Sequence, residues 1–192
     1  MIEWLLSDDL EAVEIRDKFI VKIIPMLNPD GVIHGNYRVS LLGVDLNRRW
    51  SRPSKFLHPT VYYTKQIIKF FNEKGRIPGC DSGGVVLSCD IHGHSRNFDL
   101  FTYNCYDDLS SNNLNIKAVT IGMDKLIPIF NLNSCKFVME KDKENTARVV
   151  LFKEVGIVSS FTLECTYYGS EYLRRQKQNY FLLTKDQQEE QA

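Results

Sequence analysis

Short runs of apolar and β-branched residues recur along the chain and indicate β-strands. The first run covers residues 19–24, is apolar except for Lys22, and stops at Pro25. Such runs are typical of strands buried on both faces of a sheet, and proline ends them because it has no N–H to donate to a neighbouring strand. The pattern predicts strands at residues 19–24, 85–91, 98–103, 136–139 and 157–165.

Longer stretches between these runs place apolar residues at the spacing of an amphipathic helix. Residues 59–74 are the clearest case, with Pro59 in the first turn and Gly75 just past the end. Proline is common at the start because the first helical N–H needs no partner, and glycine is common after the end because it tolerates a left-handed backbone. Further helices are predicted at residues 116–130 and 146–155, the second followed by Gly156.

Alternating strands and helices predict an α/β fold with a mixed, largely parallel sheet flanked by helices. Folds of this class bind ligands at the carboxyl ends of their strands. Polar residues that could bind a ligand or take part in catalysis follow the predicted strands there: Asn28, Asp30, His92, His94 and Glu164. We therefore expect a functional site at this edge of the sheet.

The periodic pattern fades after Ser170, where Arg, Lys, Gln and Glu dominate. Sequence of this kind has too few apolar residues to pack a core. We therefore expect one domain over residues 1–170 and a divergent, disordered tail over residues 171–192.

Composition excludes several classes of protein. Lys and Arg together number 24 and so do Asp and Glu, which leaves no net charge to indicate binding to nucleic acid or to a membrane surface. No apolar run reaches the roughly 18 residues of a membrane-spanning helix. The five cysteines are an odd number without a Cys-x-x-Cys pair, which is typical of free thiols in a reducing compartment. We expect a cytoplasmic protein.

Two histidines and one glutamate follow the predicted strands. A neutral imidazole is the commonest protein ligand of a catalytic metal, and His92 and His94 come just after a hydrophobic run. Residues two apart beyond a strand need not face the same way, so only one of them is expected to bind a metal. Glu164 ends an apolar stretch and is a candidate general base. Structural histidines and a salt-bridged glutamate at the end of a strand remain alternatives.

Asn47 and Arg48 stand side by side and suit recognition of a carboxylate. The guanidinium offers a two-pronged donor and the amide adds a third hydrogen bond. Arg38 is a further fixed cation that can stabilise a developing oxyanion. Each arginine taken alone is more often a surface residue, so the order of the motifs carries the argument.

That order resembles the zinc carboxypeptidases, and most closely their cytosolic branch. The matching segments are residues 28–31 (Asn-Pro-Asp-Gly), 35–38 (Gly-Asn-Tyr-Arg), 45–50 (Asp-Leu-Asn-Arg-Arg-Trp), 90–95 (Asp-Ile-His-Gly-His-Ser), 140–150 and 160–164 (Ser-Phe-Thr-Leu-Glu). The resemblance covers roughly residues 8 to 170. The cytosolic branch removes glutamates from protein C-termini and from polyglutamate side chains, those of tubulin above all.

The resemblance implies a role for individual residues. His92 would be a ligand of one Zn²⁺ ion and Glu164 the general base for the attacking water. Arg38 would stabilise the oxyanion. Asn47 and Arg48 would hold the terminal carboxylate, and Arg148 would line the pocket for the terminal side chain, where a cation favours glutamate or aspartate. An Arg148 paired with Glu140 or Glu144 at the start of a helix is the structural alternative.

The chain departs from the family at its beginning. The resemblance implies a His-x-x-Glu motif that supplies the other two of three zinc ligands, upstream of the predicted strand at residues 19–24. No histidine precedes His34. The motif is therefore expected before Met1, and the chain is expected to be truncated there and at its C-terminus, where the closing helix of the family is not matched.

Three functions remain open on this reading. The first is a metallocarboxypeptidase that acts on protein C-terminal tails, with glutamylated tubulin as partner. The second is an inactive module that binds acidic tails without hydrolysis, since a catalytic zinc site needs three protein ligands. The third is an acyl-amino-acid hydrolase on the same fold, which Asn47, Arg48 and Arg148 suit less well than a peptide terminus.

Overall fold

The computed structural model describes residues 1–75, 84–106 and 113–176. The helices are α1 (Ile2–Leu5), α2 (Leu10–Lys18), α3 (Pro29–Ile33), α4 (Pro59–Lys74), α5 (Asn113–Leu126) and α6 (Ala147–Val150). The strands are β1 (Ser88–His94), β2 (Leu100–Tyr103) and β3 (Ser160–Thr166). Short 3₁₀ turns lie at Leu46–Arg48, Leu132–Ser134 and Lys141–Lys143, and a π-helical segment at Leu151–Val155.

The sheet places β3 between the other two strands. β1 runs parallel to β3 and β2 runs antiparallel to it. Because residues paired across a ladder point to the same face, two rows of side chains cross the sheet. One row is His92, Glu164 and Phe101, and the next is Asp90, Thr162 and Tyr103. The predicted mixed α/β fold is confirmed.

The predicted strand at residues 19–24 is wrong. These residues form no helix or strand, and each is exposed although all but Lys22 are apolar. A strand needs a neighbour that accepts its N–H groups, and within the described residues no ladder partner meets this segment. The sequence has the local preference for a strand, but pairing decides whether one forms.

The predicted strand at residues 136–139 is reduced to one bridge, between Tyr103 and Lys136. The helix predicted at residues 116–130 begins at Asn113 and ends at Leu126. Its earlier end follows from Pro128, because the residue before a proline disfavours helical backbone.

The strand predicted at residues 85–91 is Ser88–His94, so the two histidines lie within it and not after it. The strands predicted at residues 98–103 and 157–165 are Leu100–Tyr103 and Ser160–Thr166. The helix predicted at residues 146–155 is split into α6 and the π-helical segment. It ends as expected at Gly156, whose φ is +80°.

α4 follows the predicted helix residue for residue. Pro59 lies in its first turn, and Gly75 caps its last with a hydrogen bond to the carbonyl of Phe71. Its buried face includes Val61, whose side chain joins the main core. Within residues 1–75, 84–106 and 113–176 no helix is both long and apolar enough to span a membrane.

The core lies beneath the segments that carry the candidate site. Its buried members are Leu46, Trp50, Val61, Ala147, Val150, Leu151 and Ile157. Leu46 and Trp50 flank the Asn47–Arg48 pair, and Ala147 and Val149 flank Arg148. Burial of these neighbours fixes the backbone from which the candidate site side chains project.

The region after Ser170 starts with helical residues 171–176. Asp99 receives hydrogen bonds from the Ser170 hydroxyl (2.7 Å) and from the Glu171 backbone N–H (2.9 Å), which fixes the start of this helix. The rest of the predicted tail, residues 177–192, lies outside the described residues.

Candidate active site

His92 and Glu164 face each other across the β1–β3 ladder. Their Nδ1 and Oε1 atoms are 3.8 Å apart. Glu164 is 6% exposed, whereas the His92 side chain keeps 28% of its surface accessible. The structure thus joins the two residues that the sequence predicted at strand ends, with the carboxylate deep and the imidazole nearer solvent.

Asp90 determines which nitrogen of His92 is free. Its Oδ2 lies 3.0 Å from His92 Nε2, so Nε2–H donates to Asp90 in the neutral imidazole. The lone pair is then on Nδ1, on the side of Glu164. Burial lowers the pKa of His92, but the hydrogen bond and charge of Asp90, with the charge of Glu164, outweigh it and raise this pKa above its usual value.

His94 lies on the same face of β1 as His92, because residues two apart in a strand point the same way. Its Nδ1 accepts hydrogen bonds from the backbone N–H groups of Arg96 and Asn97, both at 3.1 Å. Its Nε2 is 3.5 Å from the Tyr103 hydroxyl. Burial, aided by the Arg96 charge, lowers the pKa of His94, so it is a neutral residue that closes the turn after β1.

Asn47 is held by the oxygen end of its amide. Its Oδ1 accepts a hydrogen bond of 2.8 Å from the backbone N–H of Ala147, at the start of α6. The NH₂ group therefore faces the other way, with Nδ2 3.4 Å from His92 Nε2. Asn47 presents a donor beside His92 and links the Leu46–Arg48 turn to α6.

Asp45 positions both arginines of the neighbouring segment. Its carboxylate accepts a hydrogen bond of 2.7 Å from Arg38 Nε and lies 3.9 Å from Arg48 Nη1. It also accepts from the Asn47 backbone N–H (2.9 Å), which starts the 3₁₀ turn. The side chains of Arg38 and Arg48 remain 51% and 33% exposed, so both can still meet a ligand.

Arg148 is buried, and no acidic residue in the described part of the chain pairs with it. It is 6% exposed, and its Nε has no hydrogen-bond partner there. Among the described residues it forms no ion pair: Glu140 lies 3.6 Å from Lys136, and Glu144 lies 3.3 Å from Lys153. The structural alternative in which Arg148 pairs with Glu140 or Glu144 is therefore not what the fold adopts.

Burial of Glu164 favours its protonated form. Burial raises the pKa of Glu164 above its ordinary value and the Asp90 charge adds to this, while His92, Arg148 and Arg38 oppose it. A carboxylate that is more basic than usual and lies beside an imidazole is suited to accept a proton from water.

Comparison with known proteins places this arrangement in a family. A model of the zinc carboxypeptidase family matches residues 1–190. The chain belongs to the zinc carboxypeptidase family. It is 40% identical over 183 residues to cytosolic carboxypeptidase 1 of Xenopus laevis, 41% identical over 181 residues to human cytosolic carboxypeptidase 4, and 43% identical over 174 residues to mouse cytosolic carboxypeptidase 3.

These matches cover 88% of this chain but 14–16% of the length of the curated relatives. Solved carboxypeptidases share the fold. A metallo-carboxypeptidase from Burkholderia cenocepacia is 25% identical with a TM-score of 0.69, over 86% of this chain and 42% of that chain. One from Pseudomonas aeruginosa, solved with (2-guanidinoethylmercapto)succinic acid, has a TM-score of 0.57 at 24% identity, over 74% and 36% of the two chains, and supports the fold alone.

The donor chemistry of the site fits one zinc ligand. The free nitrogen of His92, Nδ1, lies on the Glu164 side, and Asp90 accepts a hydrogen bond from the other ring nitrogen. A metal-binding histidine is commonly oriented in this way by a carboxylate. Among the described residues no group of three or more His, Cys, Asp or Glu side chains is arranged to hold a metal ion.

Four residues of the site were not singled out from the sequence: Asp45, Asp90, Tyr103 and Thr162. Asp90 had a usable signal, since it lies two residues before His92 in a strand and so shares its face. Asp45 also had a usable signal, because an aspartate directly before a short helical turn is a favoured N-cap. Thr162 had the same signal as Asp90, because it lies two residues before Glu164 in a strand. Tyr103 had none, because only the pairing of β2 with β3 brings it beside the other residues.

Proposed function

We propose that this chain carries the substrate-binding and general-base side of a zinc carboxypeptidase site that removes acidic residues, chiefly glutamate, from protein C-termini. Family membership supports the reaction class. The observation that carries the acidic preference is Arg148, a buried guanidinium without an acidic partner in the described residues, within electrostatic reach of Glu164.

His92 would supply one zinc ligand through Nδ1, and the remaining ligands would come from outside the described residues. Zinc, when bound, supplies a Lewis acid for the scissile peptide carbonyl. Asp90 would hold the His92 ring so that its lone pair stays directed toward the metal. For this role Asp90 needs only to keep the proton of the neutral His92 ring on Nε2.

Glu164 would act as the general base. Its raised pKa lets it take the proton of the attacking water, and the same oxygen can then return that proton to the leaving amine. Burial keeps competing water away from the carboxylate and strengthens its interactions with neighbouring charges.

Arg38, Asn47 and Arg48 would bind two groups of the substrate, the scissile carbonyl and the terminal carboxylate. Arg38, exposed on the His92 side, would donate to the carbonyl oxygen as it gains negative charge. The NH₂ of Asn47 and the partly exposed guanidinium of Arg48 would bind the terminal carboxylate. Asp45 keeps both arginines on this side of the site.

Arg148 would bind the carboxylate of the terminal side chain. Burying a cation without a partner costs several kcal/mol, so a buried guanidinium with an unpaired N–H favours an anionic ligand. Thr162 has a buried hydroxyl without a hydrogen-bond partner among the described residues, two positions before Glu164 in β3. Arg148 is the group proposed to bind the second carboxylate.

Glutamylated tails such as those of tubulin, in the cytoplasm, are the proposed substrates. The relatives are named cytosolic carboxypeptidases, which supports the compartment. A chemically related alternative is a module that binds acidic tails without cleaving them. It is favoured by one observation, the absence of a three-ligand group among the described residues.

The test is the substrate preference of Arg148→Ala in the full-length protein, with peptides that end in Glu, Gln or Leu. Truncating one partner of a desolvated charge pair costs about 2–5 kcal/mol, so we expect kcat/KM for the Glu peptide to fall at least about tenfold. The Gln and Leu peptides should change little, because they place no charge beside Arg148.

The matched control is Arg174→Ala, since this arginine is exposed and pairs with Glu171 on the surface. It should leave all three peptides unaffected. An equal loss for all three peptides in Arg148→Ala would assign Arg148 to structure. Binding of the Glu peptide without any release of glutamate by the wild type would favour the non-hydrolytic module.

A further inference from the structure

We propose that Tyr103 is a positioning residue that holds the Arg148 guanidinium against its ring, in the orientation that binds an acidic side chain. On this account Tyr103 sets the preference of the site for acidic over neutral C-terminal residues. The inference rests on the proposed function and assigns the orientation of its specificity residue to the aromatic ring beside it.

The contact between the two residues is direct. Arg148 Cζ lies 5.4 Å from the centre of the Tyr103 ring. Among the described residues Arg148 has no ion-pair partner and its Nε is unpaired, so this ring is a contact that can fix the position of the buried cation. A cation at this distance from an aromatic face is attracted to its negative quadrupole, and more strongly where water is excluded.

The ring itself is fixed. Tyr103 ends β2, pairs with Thr162 of β3, and forms a bridge with Lys136 on its other side. Its ring also packs edge-on against Phe101, with centres 5.5 Å apart and planes at 76°. A side chain held on both edges of its strand offers a rigid surface, so the guanidinium that lies on it loses less freedom when a ligand binds.

The geometry assigns this role to the ring and not to the hydroxyl. The Tyr103 hydroxyl is 3.5 Å from His94 Nε2, longer than an ordinary hydrogen bond. A second cation, Lys136, lies 5.8 Å from the ring centre, but its side chain is 60% exposed and pairs with Glu140. Arg148 is therefore the cation whose position depends on the aromatic surface.

The experiment measures dissociation constants by calorimetry for the full-length protein. The ligands are two peptides that differ only in a C-terminal Glu or Gln and whose last peptide bond is reduced, so that neither is cleaved. We expect Tyr103→Leu to lower the Gln/Glu ratio of dissociation constants about tenfold, the scale of a desolvated cation–π contact. Affinity for the Gln peptide should change much less.

Tyr103→Phe should retain the preference, because it keeps the ring and removes only the hydroxyl. If thermal unfolding shows that Tyr103→Leu does not fold, Tyr103→Met is measured in its place. Phenylalanines with increasing fluorination at position 103 keep the shape and weaken the quadrupole, and should lower the ratio step by step.

A preserved ratio in folded Tyr103→Leu or Tyr103→Met would overturn the inference, as would a loss in Tyr103→Phe equal to that in Tyr103→Leu. Failure of the proposed function is read separately. It would appear in the wild type, as equal affinity for the two peptides, or as no release of glutamate from the ordinary Glu peptide.

Discussion

Glu164 combines burial, a raised pKa and a neighbouring imidazole 3.8 Å away. Burial penalises the charged form of this carboxylate, which costs stability and raises its pKa. The charges of His92, Arg148 and Arg38 oppose this rise in pKa. The balance suits a group that must take up a proton and give it back.

Replacing Glu164 by Gln in the full-length protein should abolish turnover and keep peptide binding. The amide has the shape of the carboxylate but cannot accept the proton, and general-base catalysis contributes about 10²–10⁴-fold. Steady-state rates of glutamate release and calorimetric affinity measure the two quantities. Glu144→Gln, an exposed residue paired with Lys153, is the matched control. Near-normal kcat in Glu164→Gln would remove the assignment as base.

The sequence was informative about side chains with distinctive chemistry. His92, Glu164 and Asn47 were predicted from residue type and order, and the structure brings them together. Tyr103 could not be predicted in the same way, because an aromatic residue in a strand is most often core and its contact with Arg148 depends on register. The roles of all these residues stay predictions until they are tested.

α6 is a single short helical turn followed by a π-helical segment, and it carries Arg148 on its buried side. Isolated helices this short are unstable, so packing and the end of the segment must hold it. Gly156 ends it with φ of +80°, in the left-handed region where a Cβ is disfavoured. The helical segment that carries Arg148 thus ends at a glycine eight positions away.

Gly156→Ala should destabilise the protein by about 1–2 kcal/mol, the cost of a left-handed residue with a side chain. Gly122→Ala, within α5, is the matched comparison and should stabilise by about 0.8–1 kcal/mol, because alanine is the better helix former. At both positions a new Cβ meets no atom within 4 Å, so backbone conformation alone decides the sign. Urea unfolding of the two variants measures the difference. Equal effects of the same sign would contradict this account.

Helices were easier to predict than strands. α4 carries its own start and stop signals and matches the prediction, whereas residues 19–24 have the composition of a strand and form none. A helix satisfies its hydrogen bonds within itself, while a strand depends on a partner elsewhere in the chain. The same difference explains why the bounds of β1 moved toward His94, where pairing with β3 continues.

The candidate site is assembled from stretches far apart in sequence. Lys65, 3% exposed on α4, donates to the carbonyls of Trp50 (2.7 Å) and Ser51 (3.1 Å) and to Glu154 (2.7 Å). It thereby ties the segment after Arg48 to the segment after Arg148. Alignment of the two segments that carry Arg48 and Arg148 is therefore a property of the packed molecule, which motif order alone could not predict.

The described residues carry the proposed base, the proposed metal-binding imidazole and the cations of the candidate site, in a chain that spans 14–16% of its curated relatives. Zinc and His92 are jointly necessary for the proposed activity. His34, an exposed histidine in a loop, provides a control with the same side chain outside the site.

The most direct measurement is glutamate release from a C-terminal Glu peptide by the full-length protein, before metal removal, after it, and after zinc is added back. The account predicts that activity disappears with the metal and returns with zinc in the wild type and in His34→Gln. In His92→Gln, activity should be absent throughout, because the variant lacks a zinc ligand. Activity that survives metal removal, or that zinc restores in His92→Gln, would contradict the account.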